Sequence, residues 1–175
     1  QEIIATPQAQ QRYWARAHIG WSRMRQADPN ATHLALVDLQ RTDRLTGLIT
    51  QNVDTLHSRA GYQDVIELHG RIDRVICLDC SETSERGALH LRLTALNPGW
   101  HNQSAEIAPD GDVLLDDTDG FIVADCDSCG GRLKPDVVFF GESVPKPRVA
   151  QCFDLVERTH LDGGALLVLG SSLQV

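Results

Sequence analysis

The stretch LTGLITQNVDTLHSRAGYQDVIELHG, residues 45–70, sets the fold class by its rhythm. LTGLIT (45–50) is short, apolar and β-branched near its end, the pattern of a buried strand. QNVD leaves that strand, and TLHSRAG forms a short helix stopped by Gly61. VIEL (65–68) is a second strand, ending at His69-Gly70. Strand, helix and strand in close succession predict a parallel α/β arrangement.

Upstream, the residues from Gln8 to about Gln26 read as a helix rich in aromatics (Tyr13, Trp14, Trp21), with Gly20 as a candidate interruption. Asp28-Pro29-Asn30 stops it and starts the next, because proline disfavours a helical residue before it and Asn is a good N-cap. A second helix follows over about 31–43, with Leu34, Val37 and Leu39 among its apolar residues. Downstream, PDVVFF (135–140) reads as a strand, PKPRVAQCFDLVERTH (145–160) as a helix, and ALLVLG (165–170) as another buried strand. Between these flanks, about 72–132 has few long apolar runs and reads as a small insert held together by something other than a large core. The expected organisation is an α/β part over 1–71, an inserted module over 72–132, and a return to the α/β part over 133–175.

The 175 residues are 42% hydrophobic and 23% charged, as in a folded globular protein, so wholesale disorder is excluded. No apolar run approaches the ~20 residues of a membrane helix, and no signal peptide is visible at the start. With 16 basic against 24 acidic side chains the net charge is −8, which argues against nucleic acid as a partner. Only Lys134 and Lys146 are lysines.

Five cysteines occur, four of them in two C-x-x-C pairs, Cys77 with Cys80 and Cys126 with Cys129. An odd count without a secretion signal points to a reducing compartment, either cytoplasm or, in a eukaryote, the mitochondrial matrix. Each C-x-x-C lets two thiolates reach one ion from a tight turn, and two such turns complete a tetrahedral site for which zinc fits best. Two disulfides, an iron–sulfur cluster or free thiols are the other readings. A four-thiolate ion has no open coordination position and would be structural. Cys152 stands apart on a helix and reads as a small apolar residue.

Ligands of open α/β sheets bind beyond the carboxyl ends of strands. Here those ends carry Thr50-Gln51-Asn52-Val53-Asp54, His69-Gly70 and Gly170-Ser171-Ser172. Amides, a carboxylate, an imidazole and two hydroxyls beside a glycine suit a ribose or phosphate, and imidazole suits proton transfer near neutrality. Each alone is an ordinary turn or capping residue. Their shared sheet edge raises the functional reading.

TQNVDTLH (50–57), ELHG (67–70), the paired C-x-x-C, KPDVVFFGE (134–142) and GSSL (170–173) together resemble the sirtuins, NAD-dependent protein deacylases. RYWAR (12–16), CLDC and the NPGW…APDGD stretch most resemble the class II branch, which includes a mitochondrial member credited with lipoamidase and ADP-ribosyltransferase activities. The resemblance implies a partial Rossmann-like parallel sheet with an inserted small zinc-binding module of four cysteines. It implies that Gln51, Asn52 and Asp54 bind the nicotinamide ribose of NAD, with Asn52 and Asp54 also ordering the reactive end and Val53 among the cofactor-binding residues. Gly170, Ser171 and Ser172 would contact the adenosine half. His69 would be the general base: the acyl oxygen of the substrate lysine attacks C1′ as nicotinamide leaves, and His69 then activates a ribose hydroxyl. Cys77, Cys80, Cys126 and Cys129 would hold zinc. Val138, Phe139, Phe140, Gly141 and Glu142 would supply extended backbone beside which an acyl-lysine peptide lies.

Sirtuins also carry Gly-Ala-Gly-x-Ser and Gly-Ile-Pro-Asp-Phe-Arg, and neither motif occurs in these residues. The expectation is therefore an internal stretch of such a catalytic domain. The competing readings are transfer of ADP-ribose to protein, lipoamidase activity, and a zinc-stabilised module that binds acyl-lysine segments without turnover.

Overall fold

The computed structural model describes residues 6–100, 106–107, 113–115 and 117–170. Helix α1 (Pro7–Gln26) starts where Thr6 accepts the Ala9 N–H at 3.1 Å, with Pro7 in the first turn, where its missing N–H costs nothing. Helix α2 (Ala31–Arg41) opens on a reciprocal cap: the Asn30 side chain accepts the N–H groups of Thr32 and His33, and His33 Nδ1 accepts the Asn30 N–H. Strand β1 (Leu48–Thr50), helix α3 (Leu56–Ala60) and strand β2 (Val65–Glu67) follow. β1 and β2 pair in parallel, Leu48 against Val65 through Thr50 against Glu67, as their hydrophobicity and spacing predict.

Strand β3 (Gly70–Cys77) leads into the cysteine module, which adds β4 (Thr83–Glu85), α4 (Arg86–Leu96), β5 (Glu106–Ile107), β6 (Val113–Leu114) and β7 (Leu133–Val137). Helix α5 (Lys146–Leu161) closes the described elements. β3 is central in an antiparallel sheet of order β4-β3-β7, and β5 pairs with β6. Pro135, which has no N–H to give a ladder, is accommodated because β7 is an edge strand.

The core lies mainly where the sequence suggested little. Trp14 and Ala15 of α1 pack with Val75, Leu89, Leu93, Val113, Phe121 and Leu133 of the module. The buried Trp14 indole N–H donates to the Leu133 carbonyl at 3.2 Å. Gly20 does not break α1. A Cβ there would stand 3.2 Å from Val113 Cγ2, so glycine lets β6 lie close to the helix. Asn97, buried at the end of α4, donates to the Leu93 and Ile122 carbonyls and accepts the Ile122 N–H, tying α4 to the segment that leads to Cys126. A smaller cluster of Leu36, Val37, Leu48 and Tyr62 joins α2 to the parallel pair.

Two strand expectations change. PDVVFF yields only β7, which pairs antiparallel with β3 and so belongs to the module's sheet. Beyond Val137 the chain turns: Glu142 N–H donates to the Phe139 carbonyl and Gly141 takes a left-handed φ of +82°. Residues 139–142 therefore form a turn, and 138–142 is not continuous extended backbone. Segment 165–170 is not a strand either, with Leu166 68% exposed. A strand needs a ladder partner for its backbone groups, and none pairs with it among the described residues.

Candidate functional site

Three chain segments meet at the carboxyl end of the parallel pair. Thr50 continues the ladder by accepting the Leu68 N–H at 2.9 Å, and its hydroxyl accepts the Asn52 N–H at 3.1 Å. Val53 accepts the Ile72 N–H at 2.9 Å, which locks the 50–54 loop against the start of β3. Asp54 Oδ1 accepts the Leu56 N–H at 2.9 Å, and Thr55 adopts a left-handed φ of +64° to start α3. Gln51 and Asn52 are thereby held at an exposed edge, with Val53 and Asp54 half-buried behind them.

His69 sits between this loop and the third segment. Its Nδ1 lies 3.1 Å from the Gln51 carbonyl, and its own carbonyl accepts the Val138 N–H at 2.8 Å. A carbonyl only accepts, so Nδ1 donates to it, and in the tautomer this selects Nε2 is the lone-pair nitrogen. Gly70, at φ +88°, is required by close approach, because a Cβ there would overlap the Asp136 carbonyl oxygen. Asp136 in turn binds Arg148 of α5 at 2.9 Å and Arg74 of β3 at 2.6 Å, so both parts of the chain are stapled beside the imidazole.

Of the residues proposed from sequence, Gln51, Asn52, Val53, Asp54, His69 and Val138 are brought together by these bonds. Gly170 is exposed with φ +69°, and Ser171 and Ser172 lie outside the described residues. Sequence reasoning missed Asp136 and Lys134 as organisers of the site. The signal for Lys134 was present, since one lysine of only two stands eight residues before Glu142 in KPDVVFFGE. His57, also missed, packs against His33 between α2 and α3, with ring centres 4.6 Å apart and the planes tilted by 55°. Burial, then the neighbouring His33, pushes its imidazole below the ordinary range.

At the far end of β3 the four cysteine sulfurs lie within 4.8 Å of one another. Cys77 Sγ is 3.5 Å from Cys129 Sγ, and Cys80 Sγ is 3.8 Å from Cys126 Sγ. These distances exceed a ~2.05 Å disulfide bond. They match the ~3.8 Å between corners of a tetrahedron with ~2.3 Å metal–sulfur bonds. The Asp79 N–H points to Cys77 Sγ at 3.4 Å and the Gly131 N–H to Cys129 Sγ at 3.3 Å, which stabilises negative sulfur. A Cβ at Gly131 would overlap the Asp79 carboxylate and stand 2.9 Å from Cys77 Sγ, so the two knuckles close only around glycine. The Cys80 backbone N–H, with others, draws the Cys77 thiol down to about 7, whereas crowding by Cys80 and its neighbours pushes Cys129 up to about 12. Four crowded thiols ionise together only around a cation, and four soft sulfurs in this arrangement fit one structural zinc ion. Cys152, half-buried on α5, takes no part.

The chain is 48% identical over 179 residues to NAD-dependent protein deacetylase 1 of Mycobacterium avium (strain 104), covering 99% of this chain and 62% of that protein. It is 46% identical over 176 residues to the mitochondrial NAD-dependent protein lipoamidase sirtuin-4 of Bos taurus, covering 99% of this chain and 55% of the relative. The chain thus spans about six tenths of the length of these curated relatives. A solved structure of a Sir2 homologue in complex with NAD superposes with a TM-score of 0.60 at 31% identity, over 90% of this chain and 52% of that one. The Sir2 family pattern matches residues 1–175 throughout, and the chain belongs to that family.

Proposed function

We propose that this chain carries the base-bearing half of an NAD-dependent protein lysine deacylase, releasing nicotinamide and an O-acyl-ADP-ribose. The observation that carries the reading is the His69 Nδ1 contact to the Gln51 carbonyl, which frees Nε2 beside the Gln51–Asp54 loop and its exposed amides. NAD, when bound, supplies an electrophilic ribose carbon. The chemistry asked of this chain is then orientation and proton transfer. Asn52 and Gln51 offer amide dipoles to a ribose without a competing nucleophile, and Asp54, braced by the Leu56 N–H, offers an acceptor fixed in direction. His69 Nε2 takes the proton of a ribose hydroxyl, and its Nδ1–H, held by a rigid carbonyl, stabilises the imidazolium that results. Ser171 and Ser172, with Gly170, are assigned to the cofactor's adenosine side, and the 138–142 turn to the acyl-lysine segment. The names of the bacterial deacetylase relatives support this reading, and four cysteines gathered for a metal with one left over support a reducing compartment such as the cytoplasm.

The 46% identity to the sirtuin-4 lipoamidase favours a second acyl group, lipoyl-lysine, as a substrate for the same machinery. The test is nicotinamide release by the full-length protein given NAD and either an acetyl-lysine or a lipoyl-lysine peptide. His69→Ala is expected to cut turnover by roughly 10²–10⁴-fold, the range for loss of a general base, with zinc content unchanged. Turnover that survives His69→Ala would overturn the assigned role.

A further inference from the structure

Lys134 is 7% exposed, an unusual place for an ammonium group unless its donors are used. They are. Nζ donates to Glu142 Oε2 at 2.7 Å and to the Val137 carbonyl, and it lies 4.5 Å from the centre of the Phe139 ring. The same Glu142 oxygen accepts the Phe139 N–H at 2.9 Å, and the Glu142 N–H returns to the Phe139 carbonyl at 2.9 Å. Every described partner of this ammonium group therefore belongs to residues 137–142, the chain that winds around it. The Phe139 ring is pinned on its other side by Tyr13 at 5.5 Å, edge-on. One end of the loop is fixed to the candidate base through Val138 N–H to the His69 carbonyl. At its tip Phe140 is fully exposed and Gly141 turns the chain with φ +82°.

We propose that the buried Lys134–Glu142 pair is a positioning device that holds the Phe139–Gly141 turn, with its exposed Phe140, in register with His69 to receive the acyl-lysine segment of a protein substrate. The inference rests on the deacylase reading for its substrate, though the geometry of the turn does not. The described contacts of Lys134 Nζ and of the Glu142 carboxylate all lie within residues 134–142, which assigns both a positioning role. A compact ammonium with three donors suits this cage, where a planar guanidinium would not turn between a carbonyl, a carboxylate and a ring.

The experiment compares full-length wild type with Glu142→Gln, which keeps the side chain's shape and removes its charge, and with Lys134→Met and the double variant. Two readouts are taken: steady-state constants for an acetyl-lysine peptide and for NAD, and hydrogen exchange of the amides of 138–142 without substrate. Loss of one charge-assisted bond in Glu142→Gln should raise KM for the peptide about tenfold. Its kcat and its KM for NAD should stay within about twofold. Exchange at Phe139 should quicken by a similar factor, while zinc content stays unchanged. The double variant should be no worse than Lys134→Met, as expected for residues in one network. Unchanged exchange at Phe139, or equal changes in the constants for peptide and NAD, would overturn the proposal. A wild type that releases no nicotinamide would defeat the deacylase reading instead, and the exchange data would still decide the role of the pair.

Discussion

The cysteine module and the parallel pair differ in what the described residues bury around them. Around β3, β4, β7, α1 and α4 the chain buries a cluster of twelve residues, and the four sulfurs gather at the end of the same sheet. Around β1 and β2 the corresponding cluster has four among the described residues, which include no buried residue of α5, although Leu155 sits where a Cβ on Gly47 would be. Segment 165–170 adds a row of exposed leucines to this second region. Among the described residues, one end of β3 thus carries the sulfurs and the larger core, and the other carries the candidate chemistry. His69 lies at the junction, bonded to the loop of one region through Nδ1 and to the chain leaving β7 through its carbonyl.

The largest break in that comparison comes from the metal ligands. Cys126→Ser, or exhaustive chelation, should remove the ion and unfold the knuckles, since structural zinc sites contribute on the order of 10–16 kcal/mol of apparent binding free energy. Hydrogen exchange should then rise across 76–82 and 126–133 before it rises over 48–67. A uniform rise through both regions would show that they fold as one unit and that the division between them is only geometric. Next in size is Trp14→Ala, which removes a buried indole and its bond to the Leu133 carbonyl. A cost of about 3–5 kcal/mol is expected, read as a fall in melting temperature with zinc still bound. If zinc content falls in parallel, α1 and the metal site stabilise each other directly.

How much of this could be read in the sequence follows from which forces are local. LTGLIT, VIEL and the Gly61 stop announce β1, β2 and α3, because alternation, β-branching and a left-handed cap are properties of a few adjacent residues. The two C-x-x-C pairs announce their cluster for the same reason, and Asn52, Asp54 and His69 follow from where strands end. What escaped depends on distant partners. Leu89 and Leu93 are spaced for one helical face, yet α4 is hard to see between two cysteine pairs without knowing that Trp14 and Val75 lie against it. PDVVFF has the composition of a buried strand, but Lys134 and Glu142 close the chain on itself after Val137, and that choice is made by a salt bridge over eight residues. ALLVLG likewise has strand composition without a described ladder partner, and composition cannot supply one.

Acid should separate the two regions with the smallest effect and the finest resolution. In the parallel region His57, lowered mainly by burial and then by His33, with Asp54 opposing, binds its proton less readily folded than unfolded. The unfolded chain therefore gains protons first as pH falls below the usual 6.5, and stability of the α2–α3 contact is lost from that point down through the lowered folded value. In the turn beside β7, burial alone would raise Glu142, but the bonds from Lys134 and the Phe139 N–H outweigh it and the net shift is downward. Its contribution is full above the usual 4.5 and disappears only as pH falls through the lowered value. Between pH 7 and 5.5, then, exchange should quicken over 31–41 and 56–60 while 138–142 stays protected, and the turn should loosen only below about pH 4.5. His57→Gln should flatten the first phase and leave the second. If both segments loosen together near pH 6, burial of His57 does not act locally, and the parallel pair and the module share one cooperative unit.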